Sequence, residues 1–467
     1  MRPSAHRPHE TDDTDDTDDT DDTDVTCQRL RGFRRDFHST LTGWADAAFE
    51  LTDAALCAPA PVSSVPTLSL EPAFRRSHGS LYKALARGGV DADAMRDLLI
   101  AHRPADWPLV FAVDESTWAR CDAETSPGRG FYYSASKHSA GQPIVAGWSY
   151  QWITGLDWAC DSWTAPMDAT RIPPEDDAVQ ATTTQLRDLT GRLGRTEQAP
   201  VFVFDAGYDP IALTHELADL RAHLVVRIRD DRVFYTDPEP PATGTRGRPR
   251  RHGDRHGCAE PETWPAPDHE STTSDPRYGT VRVAAWHDLH PKLGCRGHWA
   301  EFDEPPIVTG TVVRVDVQHL PKPTSRTKKT LWLWVAGPDP DLEVCWRGYL
   351  RRFDIEHTFR FVKNTLGWTT PSVRNPEQAD RWTWLVIAAY TQLRLARGLV
   401  EDQRLPWERR RKPGRLTPAR VRRGFRRLAP ALDTPASPPK TRTPGPGRPK
   451  GTRRERRTRH PAIKKAA

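Results

Sequence analysis

Long apolar runs are missing. Nowhere in the 467 residues do about 18 uncharged apolar positions follow one another, so no segment reads as a membrane-spanning helix. Cysteine is sparse: the seven, at positions 27, 57, 121, 160, 258, 295 and 345, are odd in number and contain no Cys-x-x-Cys pair. That argues against a disulfide framework or a zinc ribbon and leaves reduced thiols as the expectation. Lysine is scarce too, 12 of 68 basic residues, the remaining 56 being arginine, while proline reaches 43. Residues 1–26 are polar and acidic, unlike the cationic and apolar stretches of a secretory signal, so the expected location is the cytoplasm.

What is present is charge, unevenly spread. Residues 1–26 hold nine Asp and one Glu against two Arg, mostly in a TDD tandem that offers nothing to bury, so an acidic disordered tail is expected there. Residues 401–467 hold 22 Lys and Arg against five acids. A basic, largely disordered tail that grips polyanions without reading sequence is expected, in which the GRPK string at 447–450 resembles a minor-groove hook. The string RGRPRRHG at 246–253 has the same character.

Between the tails the pattern divides. Residues 27–104 form a helical N-terminal region: apolar groups recur at helical spacing over 28–56, and 81–99 reads as helix, Gly-Gly break and Asp-capped helix. That pair suits either a DNA-reading helix-turn-helix or a plain helical hairpin. Residues 105–229 alternate short apolar runs with helical segments, which predicts a mixed α/β sheet. Two of the runs, PLVFAVDEST at 108–117 and PVFVFDAGYD at 200–209, close on acids, Asp114 and Asp205, where a buried strand would open onto a site. Residues 230–340 break the rhythm as a β-rich insertion, and 341–400 return to helix, with 378–400 apolar around most of its girth.

One helix over 341–366 would advance about 100° per residue, gathering Tyr349, Arg352, Glu356 and Lys363 into a sector about 60° wide. Ile355, Phe359, Val362 and Leu366 form an apolar stripe beside it, and Asp354 points away. Asp114, Asp205 and Glu356 brought together would repel unless a multivalent cation neutralised them. Hard oxygen donors favour Mg²⁺ or Mn²⁺, and two such ions about 4 Å apart can serve phosphodiester chemistry. Arginine and lysine beside the acids call for a nucleic-acid backbone.

The spacing Y-x2-R-x3-E-x6-K, preceded by Asp114 in FAVDEST and Asp205 in VFVFDAGYD, resembles that of bacterial insertion-sequence transposases of the DDE type, over residues 105–400. The resemblance implies an α/β, RNase H-like mixed sheet flanked by helices, with a β-rich insertion before the last catalytic helix. It implies that Asp114, Asp205 and Glu356 are the catalytic residues and hold two divalent ions, Mg²⁺ or Mn²⁺, while Tyr349, Arg352 and Lys363 contact transposon-end DNA. The implied reaction cuts the element's ends and joins each 3′-OH to target DNA. The partners it implies are double-stranded DNA and a second subunit in a homodimeric synaptic complex, associated with the nucleoid; no membrane is involved. An inactive DNA-binding derivative and a metal nuclease without joining activity are the alternatives.

Several residues keep a second reading. Glu115, Asp209 and Asp354 neighbour the three acids and would replace them if the register moved by a step. Trp286, Trp299, Trp332 and Trp334 in the insertion could stack on an unpaired base, with core packing favoured for each. His252, His256, Cys258 and Cys295 match no standard zinc spacing.

Overall fold

The computed structural model describes residues 16–134, 143–159, 161–240, 249–320, 328–412, 414–441, 449–451 and 456–464. The first nine residues of the TDD repeat's surroundings, the start of the 246–253 string and most of the 447–450 string lie outside them. Two compact units are present: Met1–Leu98 with Phe361–Pro371 and Arg381–Lys450, and Leu99–Arg360 with Ser372–Asp380 and Gly451–Ala467.

The first unit opens with α1 (Asp16–Ser39) and α2 (Ala45–Cys57). The helix takes in the end of the acidic repeat, which the composition assigns to a disordered tail; acids in the first turns suit the positive end of a helix dipole. Phe37 packs on Phe33 and Phe49, and Arg34 forks onto both oxygens of Asp53 at 2.7 and 2.9 Å. α3 (His78–Arg87), the Gly88–Gly89 break and α4 (Ala92–Ala101), capped by Asp91, follow the predicted pair.

The second unit is built on one mixed sheet, an RNase H-like fold. Its first strands are β1 (Val110–Ala119), β2 (Gly130–Tyr133), β3 (Ile144–Gly155) and β4 (Ala165–Ile172). β4 carries no strong periodicity and escapes the sequence reading. Helix α5 (Ala178–Leu193), capped by Asp177 and ended by Gly194 at φ 70°, leads to β5 (Val201–Phe204); α6 (Pro210–Glu216) leads to β6 (His223–Ile228).

The insertion supplies β7 (Val233–Tyr235), β8 (Arg255–Gly257), β9 (His269–Asp275), β10 (Gly279–Leu289), β11 (Gly310–Val317) and β12 (Thr330–Ala336). β7 and β8 pair only with each other as strands, whereas β12 pairs antiparallel with β6 and the rest continue the main sheet. The order is β2-β3-β1-β5-β6-β12-β11-β10-β9, with β4 on β3. The insertion therefore widens the sheet instead of forming a separate layer.

The long helix expected over 341–366 is two helices, α7 (Leu342–Arg351) and α8 (Asp354–Asn364). Between them Arg352, Ile355 and Glu356 bond three residues back instead of four, to Tyr349, Arg352 and Phe353. That tighter turn breaks the wheel on which the four signature residues were placed. The apolar stripe survives it, since Ile355, Phe359, Val362 and Leu366 are all buried.

α9 (Pro376–Leu395) is the buried helix that its apolar girth predicts. α10 (Pro418–Leu428) falls within the segment expected to be largely disordered, and it is folded into the first unit. Val421 and Phe425 are buried, and the buried Arg422 donates to the Ala55 and Ala60 carbonyls at 3.0 Å each. A helix with one apolar stripe and one inward arginine can dock despite its charge.

Candidate active site

β1, β5 and β6 run parallel, with Ala112 opposite Val203 and Val203 opposite Val225. Continued by two residues, that register aligns Asp114, Asp205 and Arg227 in one row across the three strands. Asp114 lies inside β1, not at its end as the apolar run suggests: pairing with β3 continues to Ala119, but pairing with β5 stops at Ala112. The acid is at a strand end on one side only.

Alternate strand residues share a face, so Asp114 lies on the face of Val110, and the row continued from Val203 puts Asp205 there too. α7 packs on that face so closely that a Cβ on Gly348 would lie 2.8 Å from Val110 Cγ1 and 3.5 Å from Val203 Cγ1. α8 follows on the same side, its Phe359 ring 5.7 Å from that of Trp152, the β3 partner of Asp114. The signature residues Tyr349, Arg352 and Glu356 are thereby delivered to the acids.

Arg352 Nη1 donates to Asp114 Oδ2 at 2.7 Å, and the Glu115 amide donates to Oδ1 at 2.8 Å. Burial raises the Asp114 pKa to about 7, opposed by Arg352 and reinforced by the charges of Asp205 and Glu356. Burial disfavours the charge on Arg352, yet Asp114, Tyr349, Asp205 and Glu356 together hold its pKa above the ordinary value. Tyr349 is buried, which raises its pKa, and its hydroxyl bonds the exposed Arg227. Arg227 was not singled out in the sequence; its signal is a lone cation alternating into the apolar run HLVVRI. Asp205 Oδ1 accepts the Gly207 amide at 2.7 Å.

Two signature residues are placed otherwise than expected. Arg352, anticipated against DNA, is engaged with Asp114. Lys363, in the last turn of α8, belongs to the first unit and sets its Nζ over the Trp368 ring, 5.6 Å from the centroid.

The neighbouring acids are occupied elsewhere. Glu115 alternates to the opposite face and accepts from Ser149 Oγ at 2.9 Å. On that face Gln151 bonds Gln185 and Thr182 of α5 and the Tyr208 hydroxyl. Asp209 caps α6 by accepting the Ile211 and Ala212 amides. Asp354 is buried and paired with Arg351 at 2.8 Å and Arg277 at 3.8 Å.

In the insertion, Trp286, Trp299, Trp332 and Trp334 are all buried as core. His256 packs in a cluster with Trp264, Trp286 and Trp332, His252 Nδ1 is 2.9 Å from His290 Nε2, Cys258 is buried, and Cys295 is exposed with its thiol toward the Asp303 carbonyl.

Among the described residues no three His, Cys, Asp or Glu side chains converge, as they stand, closely enough to hold a metal ion. The donor chemistry of Asp114, Asp205 and Glu356 fits a hard divalent cation all the same. All donors are oxygen, and the raised pKa of Asp114 records a buried excess of negative potential that a cation relieves. Arg352 supplies part of that charge.

Among the described residues no helix is long and apolar enough to cross a membrane. No curated protein matches the chain. The family model of DDE superfamily endonucleases matches residues 33–292, more than half of the sequence; the span includes Asp114, Asp205 and Arg227 and ends before Glu356. Enzymes of this family are divalent-metal dependent and bind DNA as substrate. The chain belongs to the DDE superfamily endonucleases.

Proposed function

We propose that the protein is a DNA transposase that cuts the ends of its element and joins each freed 3′-OH to target DNA. The observation that carries the reading is the row of Asp114 and Asp205 on adjacent parallel strands, with the charges of Arg352 and Glu356 felt at Asp114. On this reading Asp114, Asp205 and Glu356 are the catalytic and metal-holding residues. Two Mg²⁺ or Mn²⁺ ions held there would supply Lewis acidity to the attacking and leaving oxygens.

The chain's own groups bind and orient. Asp114, released from Arg352, gains a free oxygen, and Arg352 gains a free guanidinium for a phosphate. Tyr349 and Arg227, bonded to each other, present a second cationic edge beside Asp205. Lys363 serves as a further phosphate contact. In cleavage a water oxygen bonds phosphorus and the 3′ oxygen leaves as a hydroxyl. In joining, that hydroxyl oxygen bonds a target phosphorus and a target 3′-OH departs. A homodimer brings two ends together in the synaptic complex, at the nucleoid.

The test uses labelled duplexes ending in the sequences that flank the reading frame, with Mg²⁺ or Mn²⁺. Asp114→Asn, Asp205→Asn and Glu356→Gln should each abolish cleavage while DNA retention survives. Cleavage without joining of a pre-cut end would make the protein a nuclease instead. Retention with no cleavage by the parent chain would make it a DNA-binding derivative.

A further inference from the structure

The first unit displays a tryptophan that packing does not explain. Trp407 is 78% exposed, at the tip of a turn, and four cations follow at once: Arg409, Arg410, Arg411 and Lys412. The turn is rigidly fastened. Glu408 accepts from the Leu405 amide at 2.8 Å and from Arg423 of α10 at 2.6 and 3.2 Å, and these bonds hold its carboxyl pKa down to about 2. Asp402 accepts from the Arg411 amide at 3.1 Å and from Arg420 of α10 at 2.8 Å, and Arg420 also reaches the Arg409 carbonyl. Both acids of the turn are thus consumed by α10. Among the described residues, no carboxylate pairs with the side chains of Arg409 to Lys412, which are exposed.

We propose that this turn is a second DNA-contacting element, with Trp407 set against the bases or sugars of a duplex groove and the four following cations on the phosphates. The inference rests on the chain acting on DNA, and charge and shape select that occupant. A run of unpaired arginines attracts a polyanion, and an exposed indole held on a stiff turn offers a stacking face at little entropic cost. The fastening to α10 explains why a strongly basic helix carries its arginines inward: Arg420 and Arg423 build the turn, leaving the next cations to the ligand.

The full-length protein is titrated without divalent cation into a fluorescent duplex, one version carrying an unpaired base, over a salt series. Trp407→Ala should weaken binding about tenfold with the salt dependence unchanged, and Trp407→Phe should restore it to within about twofold. Alanine at Arg409, Arg410, Arg411 and Lys412 together should reduce the slope of log affinity against log salt by about 3. Parent-like binding of Trp407→Ala to both duplexes overturns the proposal, as does a change confined to the oligomeric state, which would mark a protein interface. Binding of no DNA by the parent chain would instead remove the reading on which the proposal rests, whereas loss of cleavage in Asp114→Asn tests that reading alone.

Discussion

Arg352 and Asp114, 238 residues apart in the chain, share a 2.7 Å charge-assisted hydrogen bond between the turn after α7 and the middle of β1. The bond opposes the burial that raises the Asp114 pKa to about 7, without cancelling it.

The sign of the resulting pH dependence follows. A carboxyl whose folded pKa exceeds its unfolded value, near 4, contributes stability that is fully present at low pH and is lost as pH rises through about 7. Asp114 should therefore make unfolding easier by up to about 1.4 kcal/mol per pH unit across that window. Denaturant titrations at pH 5 and pH 8 should show a smaller fall in Asp114→Asn than in the parent; an equal fall would contradict the burial argument.

Asp354 and Glu356 are close in sequence and opposite in task. Replacing Asp354 by Ala leaves Arg351 buried without its carboxylate, so about 3–5 kcal/mol of stability should go. Glu356→Ala should leave stability nearly unchanged while cleavage disappears. Unfolding curves and a cleavage assay on both variants separate the two.

Gly348 sets the distance between α7 and the sheet. Gly348→Val drives methyl groups toward Val110 and Val203, stiff side chains within the core, and should cost about 1–3 kcal/mol. Because Tyr349 and Arg352 ride on the same segment, cleavage should fall by more than the loss of folded protein accounts for.

Arg422 fastens α10 to the end of α2 through two carbonyls, and burial lowers its pKa to about 10. Arg422→Met keeps the stem and removes the bonds, so about 2–3 kcal/mol should be lost. Hydrogen exchange should then quicken in α10 before it does in the sheet.

Much of this was legible in the sequence because apolar runs and their acids are local signals. Asp114 in FAVDEST, Asp205 in VFVFDAGYD and the buried stripe from Ile355 to Leu366 needed no long-range information. The break after Arg351 was not visible, since the choice between bonding three and four residues back depends on what lies beneath the turn. β4 was missed because APMDATRI has neither alternation nor an aliphatic run, and it becomes a strand through pairing with β3. Arg227 joins the row only through a register between strands, which no single segment encodes. Charge density alone misjudged α10, whose inward arginine finds carbonyls from residues more than 360 positions away.

The union of β12 with β6 has a consequence for how such a chain can be shortened. The 230–340 segment is not a detachable cap: removing it would strip β6 of a neighbour and leave a row of bare amides and carbonyls beside the acids. Truncated descendants of the gene would then be prone to stick to one another through that ragged flank, losing solubility before they lost chemistry.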